Sequence, residues 1–495
     1  MFPYKTTIIL DRTSKESLFL QLTNQFITLI KAGKLAPGTK LIGSRGLAEL
    51  LQVHRKTVVA CYEELVMQGW VETVPKKGTF VLNSLPLLKT QDYDLEENAD
   101  NNITGFSFYK TEFPEKKIVL KDGWMFVNDG VSDGRLTPTE EIAKIYRRIS
   151  ARKNIHQYLG YGSTIGNEQL RSVLANYLNE TRGLTITKDY ILITRGSQMG
   201  IWLSTQLLLQ KEDVVVVGET NYASADLTFL EKTSHLQRIP VDEHGIVTKA
   251  LEQLCEQKQI KAVYVTPHHH HPTTVTLCAQ RRIHLLNLAK KYGFAIIEDD
   301  YDYDFNYNHA PILPLASHDL HHNVIYIGSV CKTVAPVFRV GYLISNPEFV
   351  KEVSKIRGFV DRQGDALQEL TFAEFIKSGD LDRHIRKVMK VYKKRRDVFC
   401  SLLESKLSDF VSFEKPKGGM AVWLTLNKRY TWQQVAEVAK KYKLELGDVT
   451  RYDFAKTHHN AIRMGFATFT EEELYELITR LEAAFCKVLE KSKAV

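Results

Sequence analysis

Five short runs of β-branched and aliphatic residues, separated by segments of helical length, constrain the fold of this 495-residue chain more than any other feature. Such alternation predicts an α/β fold whose mainly parallel sheet is covered by helices on both faces. Ligands of such folds bind where strands end in loops, so the residues after each run are the candidates for a site. The runs are YILIT (190–194), VVVVG (214–218), AVYVT (262–266), FAIIEDD (294–300) and VIYIGS (324–329).

The length and the distribution of charge predict more than one domain, because single hydrophobic cores rarely grow to this size. Residues 1–82 carry eleven Lys and Arg against six Asp and Glu, whereas residues 83–104 carry one Lys against five acids. We therefore expect a basic domain over 1–82, a linker over 83–124 and a large domain over 125–495.

The cysteines and the hydropathy pattern indicate a cytoplasmic protein with reduced thiols. Six cysteines are spread singly, without a Cys-x-x-Cys pair. No apolar run reaches the roughly 20 residues that span a bilayer, and the N-terminus has no small-residue cleavage site. We expect no membrane partner.

The first eighty residues show the pattern of a small helical domain with a β-hairpin. Apolar residues recur at steps of three and four between Ser14 and Gly33, which predicts a helix with Ser14 or Ser17 as its N-cap. Two further helical patterns, over 44–51 and 56–70, flank a tight turn and predict a helix-turn-helix. The segment WVETVPKKGTFV then predicts a hairpin.

The order and spacing of these elements over residues 12–82 resemble the winged-helix domain of GntR-type transcription regulators. The resemblance implies a DNA-binding domain, and a protein-interaction module is the alternative. Arginine forks suit guanine edges and phosphate oxygens, and lysines in the hairpin suit the DNA backbone. The expected DNA contacts are Arg45, Arg55 and Thr57 on the two helices, with Lys76 and Lys77 in the wing.

Polar residues with distinctive chemistry follow three of the strand-like runs. Gly196 and Ser197 open a helical pattern after the first run, and such a turn offers free N–H groups to an anion. Asp299 and Asp300 end the fourth run. Lys332 follows the fifth and precedes Thr-Val-Ala-Pro, an unusual place because lysines are almost never buried unless paired.

These segments resemble the fold-type I aminotransferases, which use pyridoxal phosphate as their cofactor. Ser329-x-x-Lys332 with Arg339 is similar to the lysine segment of that family, and IIEDDYDYDF (296–305) is similar to its acidic strand end. The resemblance implies that Lys332 forms the Schiff base and that Tyr301 contacts the phenolic oxygen. It implies that Asp299 pairs with the pyridine nitrogen, although Asp300 contests this role.

The same resemblance assigns the remaining site residues and a smaller C-terminal α+β subdomain from about residue 360 to 495. Tyr222 corresponds to an aromatic residue near the cofactor ring, and Arg463 to the arginine that binds a substrate carboxylate. The residues implied to hold the phosphate are Gly196, Ser197, Gln198, Ser329 and Arg339.

Four consecutive histidines stand in TPHHHHPTTVTL (266–277), directly after the third run. Adjacent side chains of an extended segment point to opposite faces, so four in a row do not converge on one metal ion, and we expect no metal site. The phrase is similar to the strand end of MocR proteins, which implies a loop beside the cofactor. We expect His269 or His271, which share one face, to approach the cofactor, and His268 and His270 to be spare.

A GntR-type winged helix fused to an aminotransferase-like domain resembles the MocR subfamily of bacterial regulators. The resemblance implies a head-to-tail homodimer that binds promoter DNA and senses a small amine or amino acid, or pyridoxal phosphate itself, through an imine at Lys332. The first alternative is a catalytically active aminotransferase with an accessory DNA-binding domain. A second is a protein-binding winged helix on an inactive cofactor fold.

Overall fold

The computed structural model describes residues 2–84, 106–111, 122–307, 312–330, 332–454 and 458–493. The chain divides into two compact units, Met1–Glu112 and Phe113–Val495. Most of the expected linker over 83–124 lies outside the described residues. In the described part, no helix is both long enough and apolar enough to cross a membrane.

The first unit has the predicted helix-turn-helix and hairpin. The Ser17 hydroxyl caps its second helix by accepting from the backbone N–H of Leu20, and Gly33 follows that helix with a φ of 69°. The elements are α1 (Tyr4–Thr7), α2 (Leu18–Lys31), α3 (Ser44–Leu51), α4 (Arg55–Met67), β1 (Val71–Val74) and β2 (Gly78–Val81), with β1 and β2 antiparallel.

The second unit is built on a seven-stranded sheet that contains all five predicted strands. The strand order is β4-β12-β11-β10-β9-β5-β6, and only β12 is antiparallel to its neighbours. These strands are β4 (Ile191–Thr194), β5 (Val214–Gly218), β6 (His235–Ile239), β9 (Ile260–Val265), β10 (Ala295–Asp300), β11 (Val324–Ser329) and β12 (Gly341–Ile344). The strands of this unit outside the large sheet are β3 (Met125–Phe126), β7 (Val241–Asp242), β8 (Gly245–Ile246), β13 (Val411–Ser412), β14 (Ala421–Leu426), β15 (Leu444–Glu445) and β16 (Ala461–Gly465).

Helices cover both faces of the large sheet, as the alternation predicted. Because neighbouring strand residues point to opposite faces, Ile296 packs in one apolar core and Ile297 in the other. The helices are α5 (Thr139–Ser150), α6 (Glu168–Arg182), α7 (Ser197–Leu208), α8 (Ala223–Leu230), α9 (Thr248–Gln257), α10 (Ala279–Tyr292), α11 (Pro347–Val360), α12 (Ala366–Lys377), α13 (Asp380–Leu407), α14 (Trp432–Ala439) and α15 (Glu471–Lys493).

A separate core lies around the antiparallel sheet β13-β14-β16. The helix α12 packs on the face of the large sheet that contains Ile296. The helix α13 contacts that same core at Leu381 and the core of the small sheet, called the second core below, at Val388. Met125 also packs on the second core, through the pairing of β3 with β15. The change from one core to the other therefore occurs within α13, later than residue 360. The first strand of the unit, β3, packs with the C-terminal residues.

Candidate cofactor site

Lys332 lies just beyond the end of β11, and its amine is held in a largely enclosed place. Nζ donates to the carbonyl oxygen of Gly130 at 2.9 Å and lies 5.8 Å from the centre of the Tyr301 ring. Burial lowers the pKa of Lys332 below its ordinary value, and Arg463 adds to this effect while Asp129 opposes it. A lysine amine with a lowered pKa is a competent nucleophile toward an aldehyde.

Asp299, the residue before the last of β10, has one carboxylate oxygen bonded and the other without a partner among the described residues. Oδ2 accepts from the Tyr264 hydroxyl at 2.8 Å, whereas no residue of the described ranges donates to Oδ1. Burial raises the pKa of Asp299 to about 7. A buried oxygen without a donor indicates a place where a ligand group completes the bonding.

Asp300 points to the other face of the sheet, where protein groups occupy its carboxylate. Oδ1 lies at an ion-pair distance of 3.1 Å from Nδ1 of His268, although the two atoms form no hydrogen bond, and Oδ2 accepts from the hydroxyl of Tyr326. Burial alone would raise the pKa of Asp300, but His268 and the Tyr326 bond hold it below its ordinary value. The two neighbouring acids therefore have different surroundings.

The start of α7 offers a site for an anion. Gly196 has a φ of 79° and precedes the helix, and the helix start has no side-chain cap within the described residues, so its first N–H groups can donate to an anion. A Cβ added at Gly196 would lie 2.9 Å from Nη2 of Arg339, which donates to the Arg195 carbonyl at 2.7 Å. Ser197 begins α7, but the side chain of Gln198 donates to Thr228 at 2.8 Å. Gln198 can therefore reach the anion only through its backbone N–H.

Arg463, expected to bind a carboxylate, is buried and already bonded. Its guanidinium donates to the carbonyl of Asp129 at 2.8 Å, the carbonyl of Pro272 at 2.9 Å and the hydroxyl of Tyr301 at 3.3 Å. The Tyr301 hydroxyl itself donates to the carbonyl of His269 at 2.8 Å. An incoming carboxylate must therefore replace some of these bonds.

The four histidines do not form an extended strand. The chain bends at residues 268–269 and turns at 271–273, so His269 and His271 do not share a face. The His269 ring pairs with Asp302 at 2.9 Å. The His271 ring lies edge-on to the rings of Tyr222 at 5.2 Å and Tyr301 at 6.0 Å.

Of the four, His271 is the histidine that the structure brings among the expected cofactor residues. Its Nδ1 is buried and has no hydrogen-bond partner in the described part of the chain, and burial lowers its pKa to about 4. The expectation that His268 and His270 are spare is wrong. His268 pairs with Asp300, and His270 is buried and bonds Thr273 at 2.8 Å.

Two residues near the lysine were missed by the sequence reasoning. Asp129 lies 3.9 Å from Nε2 of His271 and 3.4 Å from Arg451, but it comes from the loop after β3, about 200 residues before Lys332. No local pattern marks such a residue. Tyr264 could have been found, because a hydroxyl in the apolar run AVYVT needs a buried partner.

In the first unit, the expected DNA contacts lie on the surface of the predicted elements. Arg45 on α3 and Arg55 at the start of α4 are exposed, and Thr57 in the first turn of α4 is half-buried. Lys76 and Lys77 are exposed in the turn between β1 and β2. Their arrangement leaves cationic groups available to a phosphate backbone.

The residues of the second unit fit the parts of pyridoxal phosphate. A lysine amine of lowered pKa suits the aldehyde, the unpaired oxygen of Asp299 suits a protonated ring nitrogen, and the start of α7 with Arg339 suits the phosphate. The fold and this site define an aminotransferase-like domain, carried on a chain that begins with a winged helix-turn-helix.

Comparison with known proteins gives the same two parts. Residues 127–481 match the family Aminotransferase class I and II, and residues 20–81 match Bacterial regulatory proteins, gntR family. The chain belongs to the aminotransferase class I and II family and carries a GntR-type helix-turn-helix domain. This fused architecture is that of the HTH-type regulators related to MocR.

Relatives named as transcription regulators and relatives named as aminotransferases are similar to this chain. The uncharacterized HTH-type transcriptional regulator YdeL of Bacillus subtilis is 27% identical over 97% of this chain and 99% of its own length. The probable rhizopine catabolism regulatory protein MocR of Rhizobium meliloti is 24% identical over 99% and 97%. Aromatic-amino-acid aminotransferase 1 of Thermococcus litoralis is 31% identical over 76% and 91%.

A solved structure shares the fold of the second unit. The kynurenine aminotransferase of Pyrococcus horikoshii, in complex with PMP, matches with a TM-score of 0.69 and 28% identity. The match covers 74% of this chain and 91% of that enzyme.

Proposed function

We propose that this protein is a pyridoxal-phosphate-dependent bacterial transcription regulator. It binds promoter DNA through its winged helix and senses a small amine or amino acid, or the cofactor itself, at Lys332. The single observation that carries the cofactor part of the proposal is the Asp299 carboxylate, whose buried Oδ1 has no donor in the described residues. The DNA part follows from the GntR-type domain on the same chain. A DNA target makes the cytoplasm the site of action.

The residues around Lys332 support binding of the cofactor. Pyridoxal phosphate, when bound, supplies an aldehyde that reacts with amines and a ring that withdraws electrons. Asp299 would hold the proton of the ring nitrogen, and the engagement of Asp300 by His268 favours Asp299 for this role. Tyr301, Tyr222 and His271 would contact the ring. The phosphate would be held by Gly196, Ser197, the backbone of Gln198, Ser329 and Arg339.

The effector would act by replacing bonds that the site makes to itself. Its amine would compete with the amine of Lys332 for the same position. Its carboxylate would accept hydrogen bonds from Arg463 in place of the carbonyls of Asp129 and Pro272. Asp129 lies in the segment that packs with the C-terminal core, so this exchange connects the ligand to that subdomain. An effector that prefers one arrangement shifts the population of conformations, and DNA binding would report the shift.

We further propose a head-to-tail homodimer. The two winged helices of one dimer would bind two half-sites, so the operator should contain a repeated sequence, as the operators of dimeric regulators do. Sedimentation equilibrium of the full chain, with and without DNA, measures the number of chains in each complex.

The second candidate function is transamination. The observations that favour it are the set of residues around Lys332 and the 31% identity to an aromatic-amino-acid aminotransferase. Steady-state transfer of an amino group to a keto acid, at more than about 1 per second, would support an enzyme rather than a sensor.

The proposal is tested on the full chain by two readouts. Addition of pyridoxal phosphate should give a visible absorption band that is lost in Lys332→Ala and kept in the matched control Lys144→Ala, an exposed lysine. The same preparation should bind its own upstream DNA in preference to a scrambled duplex. A band that survives Lys332→Ala, or equal binding to both duplexes, would contradict the proposal.

A further inference from the structure

Trp423 and Arg463 form a cross-strand pair in the small sheet. They stand directly opposite each other in the antiparallel pairing of β14 with β16, so both side chains lie on the same face. The next pair along, Val422 with Met464, faces the apolar core. A half-buried indole therefore lies beside the arginine that is expected to receive a carboxylate.

Tyr452 extends this aromatic surface toward the lysine. Its ring lies edge-on to Trp423 at 5.4 Å and lies 5.7 Å from the ring of His271, which in turn contacts Tyr222 and Tyr301. We call Trp423, Tyr452 and His271 the aromatic row. It leads from the face of the small sheet to the rings around Lys332.

The aromatic row contains two buried polar atoms without partners. Neither the hydroxyl of Tyr452 nor Nδ1 of His271 forms a hydrogen bond within the described residues, and both side chains are more than nine-tenths buried. Buried polar groups in native proteins are normally satisfied. An unpaired hydroxyl beside an aromatic surface indicates a ligand that brings both a ring and a polar group.

The charges near the aromatic row argue against an acidic side chain on the ligand. Burial raises the pKa of the Tyr452 hydroxyl and the neighbouring cation Arg451 opposes this rise, but Arg451 already pairs with Asp129 at 3.4 Å. The buried cation beside Trp423 is Arg463, and the α-carboxylate of an amino acid would occupy its hydrogen-bond donors. A small aliphatic side chain would reach Arg463 but would leave the indole of Trp423 uncovered.

We infer that the effector is an α-amino acid whose aromatic side chain carries a hydrogen-bonding group. Its carboxylate binds Arg463, its amine lies at Lys332, its ring packs on Trp423 and Tyr452, and its polar group meets the Tyr452 hydroxyl. This inference rests on the proposed function, because it names the ligand of the same site.

The test uses the full chain loaded with pyridoxal phosphate and four probes: L-tyrosine, L-phenylalanine, L-alanine and L-glutamate. Affinities come from isothermal titration calorimetry, with the visible spectrum as a second readout. We expect L-phenylalanine to bind about tenfold more tightly than L-alanine, because it covers Trp423. We expect L-tyrosine to bind more tightly still, by roughly threefold to tenfold, through the Tyr452 hydroxyl.

Two variants separate the parts of this recognition. Trp423→Ala should weaken L-tyrosine and L-phenylalanine about tenfold and leave L-alanine unchanged. Tyr452→Phe should remove the preference for L-tyrosine over L-phenylalanine. The matched control is Tyr475→Ala, which removes an exposed ring on α15 and should change no affinity. If Trp423→Ala melts early, Trp423→Leu keeps the fold and still removes the flat surface.

The outcomes distinguish this inference from the proposed function. Binding of L-alanine or L-glutamate as tightly as L-tyrosine, or equal weakening of all probes by Trp423→Ala, overturns the aromatic class but leaves sensing at Lys332 intact. If the cofactor band forms and no probe binds, both the aromatic class and amino-acid sensing fail. If no Lys332-dependent band forms, the proposed function fails first.

Discussion

The hydroxyl of Tyr264 donates to Oδ2 of Asp299 at 2.8 Å and leaves Oδ1 of that carboxylate without a donor in the described residues. Tyr264 lies on β9, directly beside β10, so the bond joins neighbouring strands of the large sheet. It fixes the orientation of the acid that we assign to the cofactor ring. The two side chains therefore form a unit, and changing either one tests the assignment.

Replacing Tyr264 with Phe should destabilise the protein without its cofactor by about 1–3 kcal/mol, because the carboxylate of Asp299 loses a buried hydrogen bond. It should also weaken the affinity for pyridoxal phosphate. Urea unfolding and a cofactor titration measure the two effects. Tyr475→Phe, at an exposed position, should change neither. Unchanged stability and affinity in Tyr264→Phe would contradict the role of this bond.

The Asp299→Asn variant should change the pH dependence of stability. Burial raises the pKa of Asp299 from 3.8 to about 7, so the folded chain holds a proton that the unfolded chain releases between these values. The stabilising contribution of this proton is present below about pH 4 and lost as the pH rises to 7. Asparagine does not titrate.

The free energy of unfolding of Asp299→Asn, relative to the parent without cofactor, should therefore rise with pH, by at most about 1.4 kcal/mol per pH unit. Urea unfolding between pH 4 and pH 7 measures the trend. The exposed Asp409→Asn serves as control. A flat or falling difference would show that Asp299 is ionised in the folded chain throughout this range.

The Arg463→Lys variant should separate carboxylate recognition from amine recognition. Lysine keeps the charge but loses the forked donors, so an α-amino acid should bind at least about tenfold more weakly. The amine made by removing its carboxylate, such as tyramine for L-tyrosine, should bind the variant and the parent alike. Calorimetry of both ligands checks this. Equal weakening of the two would assign Arg463 to structure instead, through its bonds to Asp129 and Pro272.

In the DNA-binding domain, Arg55→Ala and Lys76→Ala should have different signatures. Loss of Arg55, at the start of α4, should cost about 1–3 kcal/mol of DNA-binding free energy and reduce the preference for the upstream sequence. Lys76 in the wing should contribute to all sequences alike and lower the slope of log affinity against log salt by about 0.9. Titrations of the full chain with its upstream DNA and a scrambled duplex, at several salt concentrations, measure both. Identical behaviour of the two variants would contradict the assignment.

The fold was predictable because its strands are continuous apolar runs and its helix-turn-helix keeps helical spacing. The positions of Asp299 and Lys332 at strand ends were predictable for the same reason, and their roles toward the cofactor stay predictions. The smaller subdomain was harder to delimit, since Met125 joins a core formed mainly by residues beyond 388. Pairings across hundreds of residues leave no local pattern.

The histidine run shows where an assumed local structure fails. An extended strand would place His269 and His271 on one face, but a bend and a turn direct the four rings to different partners. Buried acids decide these directions. Asp300 pairs with His268 and Asp302 pairs with His269. The directions of these rings therefore depend on the end of β10, about thirty residues away.

The central claim is that chemistry at Lys332 controls binding to DNA. The most direct measurement is a footprint of the full chain on its own upstream DNA, with and without pyridoxal phosphate and an effector amino acid, repeated for Lys332→Ala. We predict that the ligands change the extent or the affinity of the parent footprint and leave that of Lys332→Ala unchanged. A parent footprint that ignores both ligands, or a variant that responds like the parent, would contradict the account.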